Sequence, residues 1–406
     1  MSIPHQRPCS PAAAPPLEDE NLLPEILLRL PPHPCSLPRV SAVCKRWRLL
    51  VSDPGFVRRF RRHHRRNPLP LLGFLGQGSE EFVFHPTMEP PNRVPPGRFS
   101  MLPEARFRSK ILGSRHGLVL MFDQKMKEAL VWDPISGGHH SLAVPPGFET
   151  SRTPIEGTML RAMGDAHHHF QVVLVGAANQ QRHTRFFACI YSSETGLWSD
   201  LISTLLPLGA YIYSIGIPAV LAGDSLYWML GRTSCALLEI DLDRQSLAVI
   251  YLPQDIFAIC NPTNFTAMPE GGGLGLLIMS HWTAYLWKLN TDCDGAASWV
   301  LGRTIELGKL LSMNLEQEGQ FLMLTGFAES SNVALIYTAI GLFMVQLESL
   351  QFKKIATRST VSWHHPFESI YAAGNSIPFT LRVLKKRLFL DSWFMECCSL
   401  PFVLSK

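Results

Sequence analysis

The stretch that decides the fold is LEIDLDRQSLAVIYL, Leu238–Leu252, in which two apolar runs flank the polar turn Asp243–Gln245. Alternation with a period of two predicts a β-hairpin here. The same unit, an apolar strand, a short polar turn and a second strand, recurs four more times. The further copies are LVWDPISGGHHSLAVP (130–145), CIYSSETGLWSDL (189–201), LWKLNTDCDGAASWVLGRTIEL (286–307) and FMVQLESLQFKKI (343–355).

The spacing of these copies predicts a β-propeller. Equivalent positions are Val131, Ile190, Ile240, Trp287 and Val345, which lie 59, 50, 47 and 58 residues apart. Propeller families repeat about every 40–50 residues. In most copies a second apolar hairpin precedes the unit, which gives the four strands of one blade.

A sixth blade is expected from strands near both ends of the region. Leu71–Leu75 and Glu80–Pro86 would pair with a strand near Glu368–Gly374, which closes the ring and leaves no open edge between the first and last blades. A β-sandwich would require these 300 or so residues to form two or three domains, and no linker divides them.

Composition agrees with many short strands. Of 406 residues, 31 are proline and 29 are glycine, too many for a long-helix protein, while 46% are apolar. The nine cysteines show no disulfide framework or paired zinc spacing, so reduced thiols, and hence the cytoplasm or nucleus, are expected. The uncharged stretch Leu201–Gly223 is long enough to span a bilayer, but its prolines and glycines favour strands and turns, and no membrane contact is expected.

The N-terminal region has a different pattern, with apolar residues at helical spacing. Leu22, Leu23, Ile26, Leu27 and Leu30 form one stripe that Pro31 and Pro32 end. A second helix is predicted over Ser36–Val51, with Val40, Val43, Cys44 and Trp47 on one face. A third begins at Asp53-Pro54, a cap followed by proline.

These helices resemble an F-box. The motif residues run from Leu17 through I-L-x-x-L-P (26–31) to V-C-K-R-W-R (43–48) and S-D-P-x-F (52–56); Glu18 departs from the pattern, since many F-boxes have proline there. The repeats after it look like the β-propeller domain that follows the F-box in a large plant F-box family. The resemblance implies a small all-α F-box of three helices, then an all-β, kelch-like propeller of six blades.

The resemblance also implies a function. F-box proteins are substrate receptors of SCF-type cullin–RING ubiquitin ligases, which dock a Skp-type adaptor, and through it cullin, by laying apolar helical residues into a groove. The expected adaptor-binding residues are Leu17, Leu22, Ile26, Leu27, Leu30, Pro31, Val43, Cys44 and Trp47. Packing within the helical unit is the alternative for each of them. The propeller would recruit an unknown target protein.

The expected organisation is a disordered leader (1–16), the F-box (17–66), the propeller (68–373) and an atypical tail (374–406). The tail is interpreted as an extension without a role or, less favoured, as a surface amphipathic helix. Ten Lys and Arg between Arg39 and Arg66 against one acid, Asp53, make this the basic segment of the chain. Its run Arg58–Arg66 is read as the solvated end of a helix rather than a localisation signal or phosphate patch, so nucleic-acid binding is not expected.

No enzyme motif is present in the sequence. It lacks G-x-S-x-G, a P-loop, H-E-x-x-H and a G-x-G-x-x-G between strand and helix. The histidine pairs His139-His140 and His364-His365 and the triplet His167–His169 lack partners at metal-ligand spacing. We therefore expect a non-catalytic subunit with no cofactor and no metal. The competing hypothesis is a stand-alone propeller binding protein or enzyme with an incidental helical cap.

Overall fold

A computed structural model describes most of the chain. The described residues are 17–64, 69–77, 82–95, 109–135, 137–145, 147–148, 155–161, 169–179, 183–207, 211–212, 218–231, 236–259, 264–291, 297–313, 321–356 and 363–370. The predicted leader and tail, residues 65–66 of the basic run and His167–His168 lie outside them. The described residues fall into two compact units, the N-terminal helices and the strands that begin after Pro68.

The N-terminal unit contains four helices. They are α1 (Leu22–Leu28), α2 (Ser36–Val43), α3 (Lys45–Ser52) and α4 (Pro54–His63). Three helices were expected. The fourth arises because the helix predicted over 36–51 is broken at Cys44, whose backbone is extended (φ −160°, ψ 170°). The Cys44 carbonyl accepts the N–H of Arg48, and the Arg48 side chain donates to the carbonyl of Ser41 (3.2 Å). These bonds satisfy backbone groups that a helix break would otherwise leave without partners.

The start of α4 follows the predicted pattern. The Asp53 carboxylate accepts the N–H of Phe56 at 2.7 Å, and Pro54 occupies the first turn. Phe56 and Phe60 point inward and are buried. The interior of the unit consists of apolar side chains from all four helices and the α1–α2 connection: Leu23, Leu27, Leu28, Cys35, Leu37, Val40, Val51, Phe56 and Phe60.

The second unit is built from short antiparallel strands. The first twelve are β1 (Leu71–Gln77), β2 (Phe82–Pro86), β3 (Ser109–Arg115), β4 (Leu118–Asp123), β5 (Glu128–Trp132), β6 (His139–Ala143), β7 (Glu156–Arg161), β8 (Phe170–Asn179), β9 (His183–Ser192), β10 (Leu197–Trp198), β11 (Ile202–Pro207) and β12 (Tyr211–Ile212). The rest are β13 (Val220–Ala222), β14 (Ser225–Gly231), β15 (Ala236–Asp241), β16 (Ser246–Tyr251), β17 (Phe265–Glu270), β18 (Gly273–Ser280), β19 (Thr283–Thr291), β20 (Ala297–Glu306), β21 (Leu322–Ala328), β22 (Val333–Thr338), β23 (Gly341–Gln346), β24 (Phe352–Ala356) and β25 (His364–Glu368). Two short helices, α5 (Gln254–Ile259) and α6 (Leu307–Leu310), lie between strands.

These strands form the six blades of a propeller. Blades one to five are β3–β6, β7–β11, β12–β16, β17–β20 and β21–β24. The five residues predicted to be equivalent lie on the third strand in the sheet order of their blades. They are Val131 on β5, Ile190 on β9, Ile240 on β15, Trp287 on β19 and Val345 on β23. The expected six-bladed architecture is therefore confirmed.

The sixth, closing blade combines both ends of the propeller. Strand β1 pairs with β2 on one side and with β25 on the other, so that Leu75 faces Phe84 and His365. The contribution from both ends was predicted, although β25 ends at Glu368, where the predicted segment begins. The described part of this blade has three strands, whereas the other blades have four or five.

The core lies between the facing surfaces of neighbouring blades. One cluster joins blades one and two through Phe122, Phe148 and Phe187, and another joins blades two and three through Phe186 and Trp228. Because both faces of each blade are covered, strands such as β18 read as nearly continuous apolar runs. The uncharged stretch 201–223 supplies β11, β12 and β13, and no described helix is long and apolar enough to cross a membrane.

The closing strand provides a test of the architecture. Phe367 on β25 is completely buried, so Phe367→Ala should lower the free energy of unfolding by about 3–5 kcal/mol, the usual range for a phenylalanine truncated in a core. Val83→Ala on β2, where the side chain is 44% exposed, is the matched control and should change it by less than about 1 kcal/mol. Denaturant unfolding measures both, and equal effects would contradict the closure described.

Candidate functional site

The helical unit has an exposed apolar surface. Leu17, Leu22, Ile26 and Val43 are 48%, 48%, 39% and 56% exposed, and Cys44 is exposed beside them in sequence. We call these five residues the apolar face. Exposed apolar side chains are common singly, but several within one unit of fewer than fifty residues indicate a surface that a partner covers.

Helix α1 positions two members of this face. The Asp19 carboxylate accepts the N–H groups of Asn21 (2.7 Å) and Leu22 (3.0 Å) at the start of the helix. These hydrogen bonds lower the pKa of Asp19, so the cap is a carboxylate at neutral pH. Leu22 and Ile26 are one turn apart and point outward. Leu27 was also predicted to bind the adaptor, but it is buried within the helical unit.

Two more members lie at the end of α2. Val43 is the last residue of this helix, one turn after the buried Val40, and Cys44 follows with an extended backbone; both side chains are exposed. Of the remaining predicted residues, Pro31 is exposed, and Leu30 and Trp47 are half-buried. Eight of the nine predicted residues thus keep some exposed surface, and Leu27 alone is buried.

One exposed residue was missed by the sequence pattern. Leu49 on α3 is 65% exposed, more than Leu17, Leu22, Ile26 or Val43. It falls between Arg48 and Leu50 and belongs to no helical stripe, so periodicity gave no reason to select it. Its position inside the V-C-K-R-W-R-x-L motif was the available signal.

Charged side chains also link separate parts of the helical unit. Arg46 donates to the carbonyl of Glu18 (3.0 Å), and Arg59 on α4 pairs with Glu25 on α1. Such exposed pairs contribute little to stability, typically below about 1 kcal/mol. The buried His64 ring contacts the Leu28 carbonyl (2.9 Å), and burial lowers the pKa of His64, which favours the neutral ring.

A second group of polar contacts lies at the propeller axis. It is centred on Arg115, at the end of β3. Its guanidinium donates to the Thr158 hydroxyl (2.9 Å) and the Met159 carbonyl (3.3 Å) in blade two, and to the Ala219 carbonyl (3.3 Å) before β13. It also forms an ion pair with Glu329, which follows β21. One side chain thus links four of the six blades. Burial raises the pKa of Glu329, and the Arg115 charge opposes that rise.

Other buried ionisable groups also contact partners. Lys110 pairs with Glu156, whose pKa is raised by burial against the opposing effect of Lys110. Glu368 accepts from the Ser331 hydroxyl (2.8 Å), and burial raises its pKa as well. Burial lowers the pKa of His365 to about 3, so this ring is neutral. The buried carboxyl groups of Glu156 and Glu368 thus both have partners within the propeller.

The histidine pairs lie in the propeller. His364 and His365 are buried on β25, and His139 and His140 lie on the outer strand β6. Within the described residues, no three His, Cys, Asp or Glu side chains group closely enough to hold a metal ion.

Comparison with known proteins identifies the first unit. The profile of the F-box-like family matches residues 20–63, the span of α1–α4. No curated protein sequence matches the chain. The chain therefore has an F-box-like domain at its N-terminal side, followed by a six-bladed β-propeller.

Solved structures resemble the propeller only distantly. The extracellular domain of a one-component system from B. thetaiotaomicron is 11% identical over 64% of this chain, with a TM-score of 0.31, and the match spans 29% of that protein. A mitotic checkpoint complex chain (11%, 66% of this chain, 72% of that chain, TM-score 0.33) and Sqt1 of Saccharomyces cerevisiae (8%, 62%, 76%, 0.31) are similarly remote. Likeness at this level carries no argument about function.

The different burial of Leu22 and Leu27 predicts different effects. Leu27→Ala should destabilise the helical unit by about 2–4 kcal/mol, because it leaves a cavity in the core. Leu22→Ala removes an exposed side chain and should change stability by less than about 0.5 kcal/mol. Hydrogen exchange of the α1–α4 amides in the full chain measures both. Equal loss of protection would show that Leu22 is also part of the core.

Proposed function

We propose that the protein is a substrate-receptor subunit of an SCF-type cullin–RING ubiquitin ligase, of the plant F-box family with an associated propeller. The observation that carries the proposal is the exposed apolar face on a domain that matches the F-box-like family. F-box domains dock Skp-type adaptors, and the adaptor links them to cullin. An apolar helical surface fits the groove-binding mode of recognition.

The exposure of individual residues supports a division within the predicted adaptor-binding set. Leu17, Leu22, Ile26, Pro31, Val43 and Cys44 are available to a partner as they stand, and Leu30 and Trp47 in part. Leu27 would act by holding α1 against the rest of the unit. Leu49 joins the set as a further contact.

The propeller is the proposed target-binding unit. Rigid blades hold loops at both ends of the ring, and such loops tolerate sequence change without loss of the fold. The buried charges along its axis are engaged with one another: Arg115 with Glu329, and Lys110 with Glu156. Because these ionisable side chains are already paired, we propose that the propeller binds its target without catalysing a reaction. We also propose that the protein is located in the cytoplasm or nucleus.

Adaptor binding tests the proposed docking residues. Ile26→Ala and Trp47→Ala should each weaken binding of a purified Skp-type adaptor by about 2–4 kcal/mol, the range of an interface hot spot. Leu205→Ala is the matched control, since that leucine is 57% exposed on the propeller and should leave the affinity unchanged. Titration calorimetry with the full chain gives the three affinities. Wild-type affinity in the Ile26/Trp47 double variant would show that the assigned face is wrong.

Removal of residues 1–66 tests the division of labour. The remaining propeller should still capture the target but should no longer support its ubiquitination, because the target is not brought to the ligase. A reconstituted ubiquitination assay and a direct binding assay report the two activities separately. Loss of target binding by a folded propeller would place part of the target site in the F-box segment.

A further inference from the structure

The outermost strand of the fourth blade, β20, is unusually long. It runs for ten residues, whereas the other described outer strands, β2, β6, β10, β11, β16 and β24, have two to six. An outer strand presents unpaired N–H and C=O groups along its free side. Short edge strands are one of the means by which proteins avoid pairing with other chains.

The first six residues of β20 also lack the charges that protect an edge. The outer strand β24 carries Lys353 and Lys354, and β16 lies against β11 of the neighbouring blade. Residues 297–302 of β20 carry no charge and no proline. The first charged residue, Arg303, is directed to the next blade, where it donates to the carbonyls of Leu347 (2.9 Å) and Glu348 (3.2 Å).

Two neighbouring apolar residues of β20, one on each face of the sheet, are exposed beside its free edge. Val300 and Leu301 are 45% and 43% exposed. Among the described residues, β20 pairs with β19 alone, and no backbone hydrogen bond joins residues 297–304 to any other element. A row of backbone donors and acceptors is therefore available beside two exposed apolar side chains.

The same end of the strand extends past its blade. Pairing between β18 and β19 stops at Gly275 and Lys288, but pairing between β19 and β20 continues for three more residues, to Thr291 and Ala297. The bulge at Gly302 bounds the regular segment on the other side. Ala297–Trp299 thus lie on a two-stranded extension, which reduces steric hindrance from the blade, whereas Val300 and Leu301 lie where β19 is also paired with β18.

We propose that Ala297–Leu301 is a self-association edge, at which the same strand of a second copy of this chain pairs antiparallel. A two-fold axis relates two identical edges in antiparallel orientation, so one surface serves both partners. Because the segment is uncharged, self-pairing brings no like charges face to face, whereas pairing of β24 with its copy would bring lysines together.

The size of this edge sets the strength of the contact. Five residues of strand with two exposed apolar side chains bury less than the roughly 1,000 Å² expected of a stable interface. The dimer should therefore be reversible and depend on concentration, with a dissociation constant in the micromolar range, about 1–100 µM. This inference does not depend on adaptor docking, which is measured separately.

Sedimentation velocity of the full chain at concentrations of about 1–100 µM tests the proposal, since these concentrations cover the expected dissociation constant. The wild-type protein should shift from monomer to dimer. Val300→Lys/Leu301→Lys should weaken dimerisation at least about tenfold, because charge on the edge opposes pairing. Tyr251→Lys/Phe352→Lys is the matched control on two other outer strands and should dimerise like the wild type. A peptide of residues 297–306 should dissociate the dimer, and a scrambled peptide should not.

Circular dichroism and the thermal midpoint establish that each variant is folded. A wild-type protein that stays monomeric throughout the range overturns the proposal, as does a dimer that survives the lysines at 300 and 301. Equal disruption by both double variants overturns it too, because the contact would then not be specific to β20. If the chain is monomeric and the same lysines weaken target capture, the edge binds an extended segment of the target and not a second copy.

Discussion

The pairing of β1 with β25 is the constraint on which the propeller depends. These strands are separated by almost the whole length of the propeller sequence, and their ladder builds the sixth blade from both ends of that sequence. Without it, both terminal blades would present an open apolar face to water. The buried cluster in which Phe74 of β1 packs against Val333 and Leu335 of blade five therefore depends on this one non-local pairing.

The polar contacts of Arg115 reinforce the same closure from the axis. Strands on opposite sides of the ring are too far apart to share backbone hydrogen bonds, but a long side chain with five donors can reach several of them. The bonds from Arg115 on blade one to blades two, three and five are made away from bulk water, where each is stronger. The ion pair with Glu329 offsets the cost of burying the arginine.

The two units expose apolar surface for different physical reasons. In the F-box-like domain, a unit of fewer than fifty residues cannot cover all of its apolar side chains, so Leu22, Ile26 and Val43 stay exposed. In the propeller, exposed large apolar side chains lie in turns, such as Ile340, and on outer strands, where the blade ends and no further strand covers it. The first surface is suited to a helical groove, and the second, at β20, to another strand.

The sequence by itself determined the repeat and the helical motif. Alternation in Leu238–Leu252 and its copies is a local property, and the recurrence of Val131, Ile190, Ile240, Trp287 and Val345 at intervals of 47–59 residues followed from it. Tertiary structure alone decided which apolar residues face outward. Leu22 and Leu27 lie on the same predicted stripe, yet packing of the other helices buries only Leu27, and Val43 is exposed at the end of α2 although Val40, one turn earlier, is buried. Helical periodicity could not foresee these outcomes, because they depend on contacts between elements distant in sequence and on one extended residue inside a helical pattern.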